Sequence, residues 1–476
     1  MLGGKKKHCI VIGAGPAGLT LAVGLTNFGH KATLIEKKSI GGDCTNTGCI
    51  PSKALLHAAS LLGPDLNATD ALEYARNKSQ TLSKKEHKEL SEIKKLQIEI
   101  ASAFIKNKTT VELTYDDGLR KTIKGDILII AAGSTPKLIP IEGLSKKDVL
   151  TNDSLFEIKT PPKKLAIVGA GPIGVEMATA FQKLGSQVSL FEFQPAVLPG
   201  QPPKISELVE KSLTELGVQV FANHAVQSFD EKKRTLAVLD RKTDDEIIVE
   251  SVDKFLIATG RQPDSKSLGL ENLEIETSEA GHILVDKKGR TSVKNVWAVG
   301  DISWNKESPL PGTTNAAGAL ARQIISQIAL PYVPASSISP IPTAVFGELE
   351  VASIGKFEPD PPETIVRIEV DMSETDRYYT DDAEVGVLIV DVEKLTGNIK
   401  AAFLAGPRSA EVISIFSLAM ATDISMYKVF KHVSAYPSYA MAVNKAADIF
   451  MAQNFNNVGG SLKTLLKFKF KKIFSK

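Results

Sequence analysis

Two cysteines lie five positions apart in a glycine-rich segment near the start of the chain. Cys44 and Cys49 belong to the stretch GGDCTNTGCIPSK and are two of only three cysteines in 476 residues. Such a pair could form a structural disulfide, supply half of a metal site or act as a redox couple. No CxxC motif or suitably spaced histidine pair completes four ligands, so no metal site is expected.

The spacing of the two cysteines predicts a break in the backbone between them. Five positions along a regular helix turn through about 500°, so Cys44 and Cys49 would point about 140° apart. A disulfide requires Cα atoms within about 7 Å of each other. Gly48 supplies the freedom for this departure from a helix. Pro51 disfavours helical backbone at Ile50 and favours a helix start nearby.

Two charged residues beside the cysteines predict opposite effects on the thiols. Lys53 lies four residues after Cys49, one turn along any helix that begins there. Its charge, together with the helix N-terminus, would lower the pKa of the Cys49 thiol. Asp43 precedes Cys44 directly, and its negative charge would oppose thiolate formation there.

A dinucleotide-binding unit must position this segment. A short apolar strand, Cys9–Ile12, leads into the turn GAGPAG and an apolar helix through Leu25, and a second strand, Ala32–Ile35, ends on Glu36. Strand, glycine turn, helix, strand and acid follow in the order of a dinucleotide fold, in which the acid accepts a ribose hydroxyl. The residues that this unit assigns to the first site are Gly13, Gly15, Pro16, Ala17, Gly18 and Glu36.

The same unit recurs later in the chain. Leu165–Val168 leads into GAGPIG, a helix and the strand Val188–Phe191, which ends on Glu192. In both copies the acid lies 23 residues after the first glycine, and this repetition makes the assignment far stronger than one glycine motif. The residues assigned to the second site are Gly169, Gly171, Ile173, Gly174, Glu192 and Gly260.

Each unit has a later partner strand, and two dinucleotide sites in one chain suggest an electron relay. The partner strands lie in ILIIAAGSTP (127–136) and KFLIATGRQP (254–263). One site would hold a flavin and the other would exchange a nicotinamide. Glu192 suits a free 2′-hydroxyl, while Phe193 and Gln194 offer no arginine for a 2′-phosphate, which favours NADH over NADPH.

With these motifs the chain resembles the class I pyridine nucleotide–disulfide oxidoreductases, the flavoprotein disulfide reductases that include dihydrolipoamide dehydrogenase and mercuric reductase. The resemblance covers roughly residues 8–455. It rests on GAGPAG, GGDCTNTGCIPSK, AAGSTP, GAGPIGVE, ATGRQP, VWAVGDIS, IPTAVFGELEVASIG and AGPRSAEVI.

The resemblance implies FAD in the first unit and NAD in the second. It adds to the FAD site the residues Lys37, Gly42, Lys53, Ala132, Gly133, Gly300 and Asp301. Asp301 matches the family aspartate that holds the flavin ribityl chain, and Lys53 and Glu176 match an ion pair beside the flavin. Cys49 would be the flavin-facing charge-transfer thiol and Cys44 the interchange thiol. A homodimer is also implied.

The expected fold is α/β, with two Rossmann-like domains for FAD and NAD and an α+β C-terminal dimerisation domain. The expected domains are FAD-binding, 1–150 and 276–335; NAD-binding, 151–275; dimerisation, 336–458; and a basic tail, 459–476.

One departure from the family pattern concerns the electron acceptor. Tyr436 and Met441 stand in AYPSYAM where disulfide-reducing members carry a His–Glu acid–base dyad, and His432 is interpreted as a surface residue. Tyrosine, with an ordinary pKa near 10, is a poor proton shuttle at neutral pH. Electrons from NADH, passed through FAD and the dithiol, would reach a small-molecule or disulfide acceptor, as in dihydrolipoamide dehydrogenase. The alternatives are reduction of a metal ion, quinone or other non-disulfide acceptor, and a slow-turnover flavin redox sensor.

Composition and termini limit the partners and the location. The net charge of +2 gives no indication of nucleic-acid binding, and the scarcity of cysteine is typical of a reducing, cytoplasmic compartment. The uncharged run over 9–29 carries turn-forming glycines, which disfavours a signal peptide or membrane span. Residues 461–476 alternate lysines with apolar residues and predict either an amphipathic helix at the inner face of an anionic membrane or a disordered solubilising tail. Residues 84–105 have a helical pattern.

Overall fold

In a computed structural model, the chain is described over residues 5–61, 67–305, 312–334, 338 and 340–454. It divides into two compact units, one of residues 1–199 and 213–338 and the other of residues 200–212 and 339–476. The basic tail, and with it the predicted membrane contact, lies outside the described residues. Within those residues, no helix has both the length and the apolar character needed to cross a membrane.

The first unit contains a five-stranded parallel sheet built around the first glycine turn. The sheet buries apolar runs on both faces, as parallel strands covered by helices do. The helices Pro16–Asn27 and Thr314–Ala329 contribute most to its apolar core, and the helix Ala68–Ser91 adds Leu90. In order across the sheet, the strands are Val296–Ala298, Ile127–Ile130, His8–Ile12, Lys31–Glu36 and Leu96–Ile100.

A second five-stranded parallel sheet repeats this arrangement around the second glycine turn. The helix Pro172–Lys183 follows the turn. The strands, in order, are Gln219–Ala222, Gln187–Glu192, Lys164–Val168, Lys254–Ile257 and Val149–Leu150. The expected boundary between the FAD-binding and NAD-binding domains, at 150/151, falls directly after the strand Val149–Leu150. Both predicted strand–turn–helix–strand units and both partner strands are therefore confirmed, as is the fold class.

Smaller elements complete the first unit. The strands form two three-stranded antiparallel sheets and two short pairs: Ser102–Asn107, Thr110–Thr114 and Arg120–Lys124; His224–Asp230, Thr235–Asp240 and Glu246–Val249; Ser134–Pro136 with Arg261–Pro263; and Ile283–Leu284 with Ser303–Trp304. The helices are Gly42–Asn46, Cys49–Ser60, Ala68–Ser91 and Asn152–Leu155, with 3-10 turns at Lys146–Asp148 and Leu270–Leu273.

The predicted helix over 84–105 is wrong in its second half. The helix Ala68–Ser91 begins earlier and ends at Ser91, and the strands Leu96–Ile100 and Ser102–Asn107 follow. In the first of these strands, apolar Leu96, Ile98 and Ile100 alternate with polar residues, which is the period of a strand.

The second unit is built on a five-stranded antiparallel sheet and gives the expected α+β architecture. Its strands, in order, are Thr343–Phe346, Glu350–Ile354, Ile399–Ala405, Val387–Glu393 and Ile365–Asp371. Helices pack on the sheet around a buried apolar core. They are Asp376–Thr380, Ser409–Ala421, Met426–Val429 and residues 441–454, with a 3-10 turn at Met372–Glu374. One more helix, Pro203–Glu215, spans a division between the units in the sequence.

Candidate active site

The two cysteines of the glycine-rich segment lie on separate helices. Cys44 is in the helix Gly42–Asn46 and Cys49 begins the helix Cys49–Ser60, so the predicted break between them is confirmed. A Cβ atom on Gly48 would lie 2.9 Å from the carbonyl oxygen of Asp43, closer than a side chain tolerates. Gly48 is therefore required where the chain reverses from one helix to the next.

The expected effect of Pro51 on its neighbour is wrong. Ile50 lies in the first turn of the helix Cys49–Ser60, with helical backbone. Proline is tolerated there because the first N–H groups of a helix have no intrahelical acceptor. The steric preference of the residue before a proline is weaker than the packing of this helix.

The cysteine segment packs directly on the first glycine turn. The backbone N–H of Gly41 donates to the carbonyl oxygen of Ala14 over 3.0 Å. A Cβ on Gly42 would lie 2.7 Å from the Cα of Gly15, so only glycine permits this approach. The thiols are thereby held beside the first candidate dinucleotide site.

Cys44 and Cys49 are free thiols whose pKa values are shifted in opposite directions. A hydrogen bond from Cys44 is the main cause that lowers the pKa of Cys49 to about 6. The charge of Lys53 and a contact with Thr314 add to it, whereas burial and the charge of Glu176 oppose it. The same thiol–thiol hydrogen bond, with burial, raises the pKa of Cys44. The Thr314 hydroxyl oxygen lies 3.8 Å from the Cys49 sulfur. The pair therefore favours a Cys49 thiolate and a protonated Cys44.

The structure brings Lys53 and Glu176 together, although 123 residues separate them in the sequence. The Lys53 ammonium donates to both carboxylate oxygens, over 2.8 and 2.7 Å. The Glu176 side chain is 5% exposed and that of Lys53 37%. Because Glu176 belongs to the helix Pro172–Lys183 of the second sheet, the ion pair joins the two dinucleotide units beside the cysteines.

Asp43, whose charge is expected to oppose thiolate formation at Cys44, is paired with a cation. Its carboxylate forms an ion pair with Arg261, which also donates to the Ser134 hydroxyl over 2.7 Å. Ser134 in turn donates to the Asp301 carboxylate over 2.7 Å. These bonds connect the cysteine segment to the predicted ribityl-binding aspartate.

The carboxylate whose charge raises the pKa of Cys44 is instead Glu86. Glu86 lies on the helix Ala68–Ser91, and Thr45 donates a hydrogen bond to its carboxylate over 3.2 Å. Burial raises the pKa of Glu86 itself. Glu86, Thr314 and Arg261 were not identified from the sequence, because no sequence motif predicts that they lie close to the cysteine segment.

Both glycine turns have the geometry to accept a dinucleotide. The Glu36 carboxylate accepts from the N–H of Ala14 over 2.8 Å, and that of Glu192 accepts from the N–H of Ala170 over 2.7 Å. A Cβ added to the middle glycine of either turn, Gly15 or Gly171, would meet no atom within 4 Å. Open space at a helix N-terminus beside a fixed carboxylate fits a pyrophosphate and its ribose.

The remaining predicted residues lie around these two cradles. Lys37 forms an ion pair with Asp264. Ile173 lies in the first turn of the helix that follows the second glycine turn. The others stand at or just beyond the carboxyl ends of the parallel strands, where ligands of such sheets bind; they are Ala132, Gly133, Gly260 and Gly300.

Tyr436 lies on the surface of the C-terminal unit, the one built on the antiparallel sheet. Its side chain is 74% exposed, and a hydrogen bond to the Asp376 carboxylate raises the pKa of its hydroxyl. His432, as interpreted from the sequence, is exposed. Met441 begins the helical residues 441–454. In the part of the chain that is described, no group of three or more His, Cys, Asp or Glu side chains could hold a metal ion.

Comparison with known proteins identifies two family matches. The pyridine nucleotide-disulphide oxidoreductase family matches residues 7–321, and the dimerisation domain of that family matches residues 341–447. Dihydrolipoyl dehydrogenase of Bacillus subtilis is 30% identical over 458 residues, covering 92% of this chain and 95% of its own. Mercuric reductase of Lysinibacillus sphaericus is 28% identical over 470 residues, covering 93% and 82%.

A solved structure is also similar. It is the Cu(II) complex of the HOCl-induced flavoprotein disulfide reductase RclA from Escherichia coli. Its TM-score is 0.83 at 26% identity, and the match covers 94% of this chain and all of the other.

Proposed function

Because the chain belongs to the pyridine nucleotide–disulphide oxidoreductase family of flavoprotein enzymes, we propose that it passes electrons from NADH through FAD to Cys44 and Cys49 and then to an acceptor. The nearest named activity is that of dihydrolipoyl dehydrogenase. The observation that carries the proposal is the pair of thiols of opposite acidity, packed against a dinucleotide cradle. The expected domain bounds and the homodimer belong to this proposal, the latter supported by the match to a dimerisation domain.

The residues around the two thiols have distinct roles in this scheme. When bound, FAD would take a hydride from NADH and supply two electrons to a Cys44–Cys49 disulfide. Reduction of that disulfide gives one thiolate and one thiol. Cys49 is the thiolate, because its pKa is about 6. Cys44 keeps a proton because its pKa is raised, and it is the sulfur that exchanges with the acceptor.

The chain's own groups would hold the cofactors. Glu36 and Asp301 supply carboxylates for the ribose and the ribityl chain of FAD. The ion pair of Lys53 and Glu176 fixes a positive charge beside Cys49. In the second unit, Glu192 would accept the ribose hydroxyls of NADH and oppose a 2′-phosphate, which supports a preference for NADH.

A second candidate acceptor is a soft metal ion. The Tyr436 hydroxyl donates to Asp376 and its pKa is raised, so it is unsuited to accept a proton from a dithiol at neutral pH. Two closely spaced thiols are good ligands for soft metal ions, whose reduction requires no such base. The similarity to a mercuric reductase and to a reductase solved as a Cu(II) complex supports this candidate.

An anaerobic titration tests the proposed electron path. FAD-loaded protein should take up two reducing equivalents beyond the flavin and develop a long-wavelength thiolate–flavin band. Cys49→Ser should abolish both signals, and a Cys49→Ser protein that titrates like the wild type would refute the mechanism. Steady-state oxidation of NADH with lipoamide, glutathione disulfide, Hg(II), Cu(II) and quinones then separates the acceptors. Slow turnover with all of them would favour the redox sensor.

A further inference from the structure

An arginine lies beside the acid that ends the second glycine unit. Phe193 and Gln194 follow Glu192 directly, and the Phe193 ring is 54% exposed. The guanidinium carbon of Arg241 lies 3.6 Å from the centre of the Phe193 ring. Its Nη1 donates to the carbonyl oxygen of Phe193 over 2.7 Å. The sequence, in which 48 residues separate the two, gives no sign of this contact.

Backbone hydrogen bonds hold this arginine in place. The N–H of Asn223 donates to the carbonyl oxygen of Gln194 over 2.8 Å, and the N–H of Arg241 donates to that of Asn223 over 3.0 Å. The Nη1 atom of Arg241 also approaches the Asn223 side-chain oxygen at 3.4 Å. In the second dinucleotide unit, the segments of Phe193 and Gln194, of Asn223 and of Arg241 are therefore held together. We call these residues the corner; they lie next to the predicted ribose site.

We propose that Arg241 is a specificity-determining residue for the nicotinamide nucleotide, providing a positive charge for a 2′-phosphate beside Glu192. The inference rests on the proposed function, which assigns a nicotinamide nucleotide to the second unit. It predicts that NADPH binds measurably, despite the repulsion expected from the Glu192 carboxylate.

The chemistry of the corner supports this role. Both oxygens of the Glu192 carboxylate accept backbone N–H groups, from Ala170 over 2.7 Å and from Gln194 over 2.8 Å, and these bonds fix its position beside the corner. Among the described residues, the side-chain hydrogen bonds of Arg241 use only Nη1. Its Nε and Nη2 groups remain for a ligand, and guanidinium groups bind phosphate through two parallel N–H bonds.

Binding of two small probes tests the assignment without catalysis. Calorimetry on the FAD-loaded protein would compare 5′-AMP with 2′,5′-ADP, which differ only in the 2′-phosphate. Arg241→Ala should weaken the binding of 2′,5′-ADP relative to that of 5′-AMP by about tenfold or more, as expected for a lost charge-assisted hydrogen bond. Arg241→Gln, which keeps a planar donor without the charge, should show a similar loss, and Arg241→Lys a smaller one.

Lys242→Ala is the matched control, since it removes a neighbouring exposed cation from the same turn. It should leave the ratio of the two affinities unchanged. An unchanged ratio in both Arg241→Ala and Arg241→Gln, or an equal loss in Lys242→Ala, would overturn the assignment.

Anaerobic reduction of the flavin separates this inference from the proposed function. If both nucleotides reduce the flavin and the Arg241 variants lower only the NADPH-to-NADH ratio, both stand. If neither nucleotide reduces the flavin while the probe ratio still falls in the variants, the electron path fails and the assignment of Arg241 to a 2′-phosphate contact stands.

Discussion

Removing the Cys44 thiol should raise the pKa of Cys49, because the hydrogen bond from Cys44 is the largest cause of its acidity. Cys44→Ala eliminates the donor. Cys44→Ser, the matched control, keeps an O–H donor of similar size at the same position. The two variants therefore differ in the hydrogen bond and share the loss of the second sulfur.

The size of the effect follows from the charge on the acceptor. At pH 7 a thiol of pKa about 6 is about 90% thiolate, whereas one at the ordinary value of 9.0 is about 1% thiolate. A hydrogen bond to a charged group contributes about 1.5–3 kcal/mol, and one pKa unit corresponds to about 1.4 kcal/mol. Cys44→Ala should therefore shift the pKa upward by about one to two units and slow alkylation at pH 7 about two- to tenfold.

The assay is the rate of iodoacetamide alkylation of Cys49 from pH 5 to pH 10. Protein is reduced and desalted without oxygen, and mass spectrometry locates the label, which distinguishes Cys49 from the buried Cys9. The midpoint of the wild type should lie near pH 6, that of Cys44→Ser within one unit of it, and that of Cys44→Ala clearly higher. Equal midpoints for Cys44→Ala and wild type would refute the assignment of the acidity to this hydrogen bond.

Three further predictions concern the surroundings of the cysteine site and the C-terminal unit built on the antiparallel sheet. Gly48→Ala forces a methyl group to within 2.9 Å of the Asp43 carbonyl oxygen and should lower the free energy of unfolding in urea by about 1–2 kcal/mol; an unchanged value would show that the turn has room. Arg367 binds the buried Asp391 carboxylate through two 2.8 Å bonds, so Arg367→Ala should cost roughly 2–3 kcal/mol in the same assay and Arg367→Lys less, and equal stability of all three proteins would contradict this. Burial raises the pKa of Glu86, so this carboxyl destabilises the fold only once ionised; Glu86→Gln should melt above wild type at pH 7, with the difference vanishing near pH 4, and a constant difference would argue against the shift.

Local patterns were sufficient to predict the two dinucleotide units. Each consists of adjacent elements, and the glycine turn, the apolar strand before it and the acid after it lie within about 30 residues. The break at Gly48 was also predictable, because two cysteines five positions apart on one regular helix point about 140° apart and could not form a disulfide. Residues 84–105 were misassigned since lysines and apolar residues at mixed spacing satisfy helical and strand periods equally over short windows.

Contacts between distant segments could not be predicted from the residues. The pairing of Lys53 with Glu176 was expected only through the family resemblance. Arg261 on Asp43 and Arg241 on Phe193 were missed, since an arginine in a strand or hairpin carries no local signal of its partner. Both interactions change the expected electrostatics: one neutralises a charge beside Cys44, and the other places a cation where the sequence suggested none.

The hydrogen bond from Gly41 to Ala14 has a counterpart at the second glycine turn. At the second glycine turn the equivalent carbonyl oxygen, that of Ala170, accepts a hydrogen bond from the N–H of Leu198 over 2.9 Å. One anchoring point thus occurs twice and secures a different segment each time. In the first turn this carbonyl oxygen holds the segment that carries Cys44 and Cys49, so loosening that single attachment would move both thiols relative to the glycine turn.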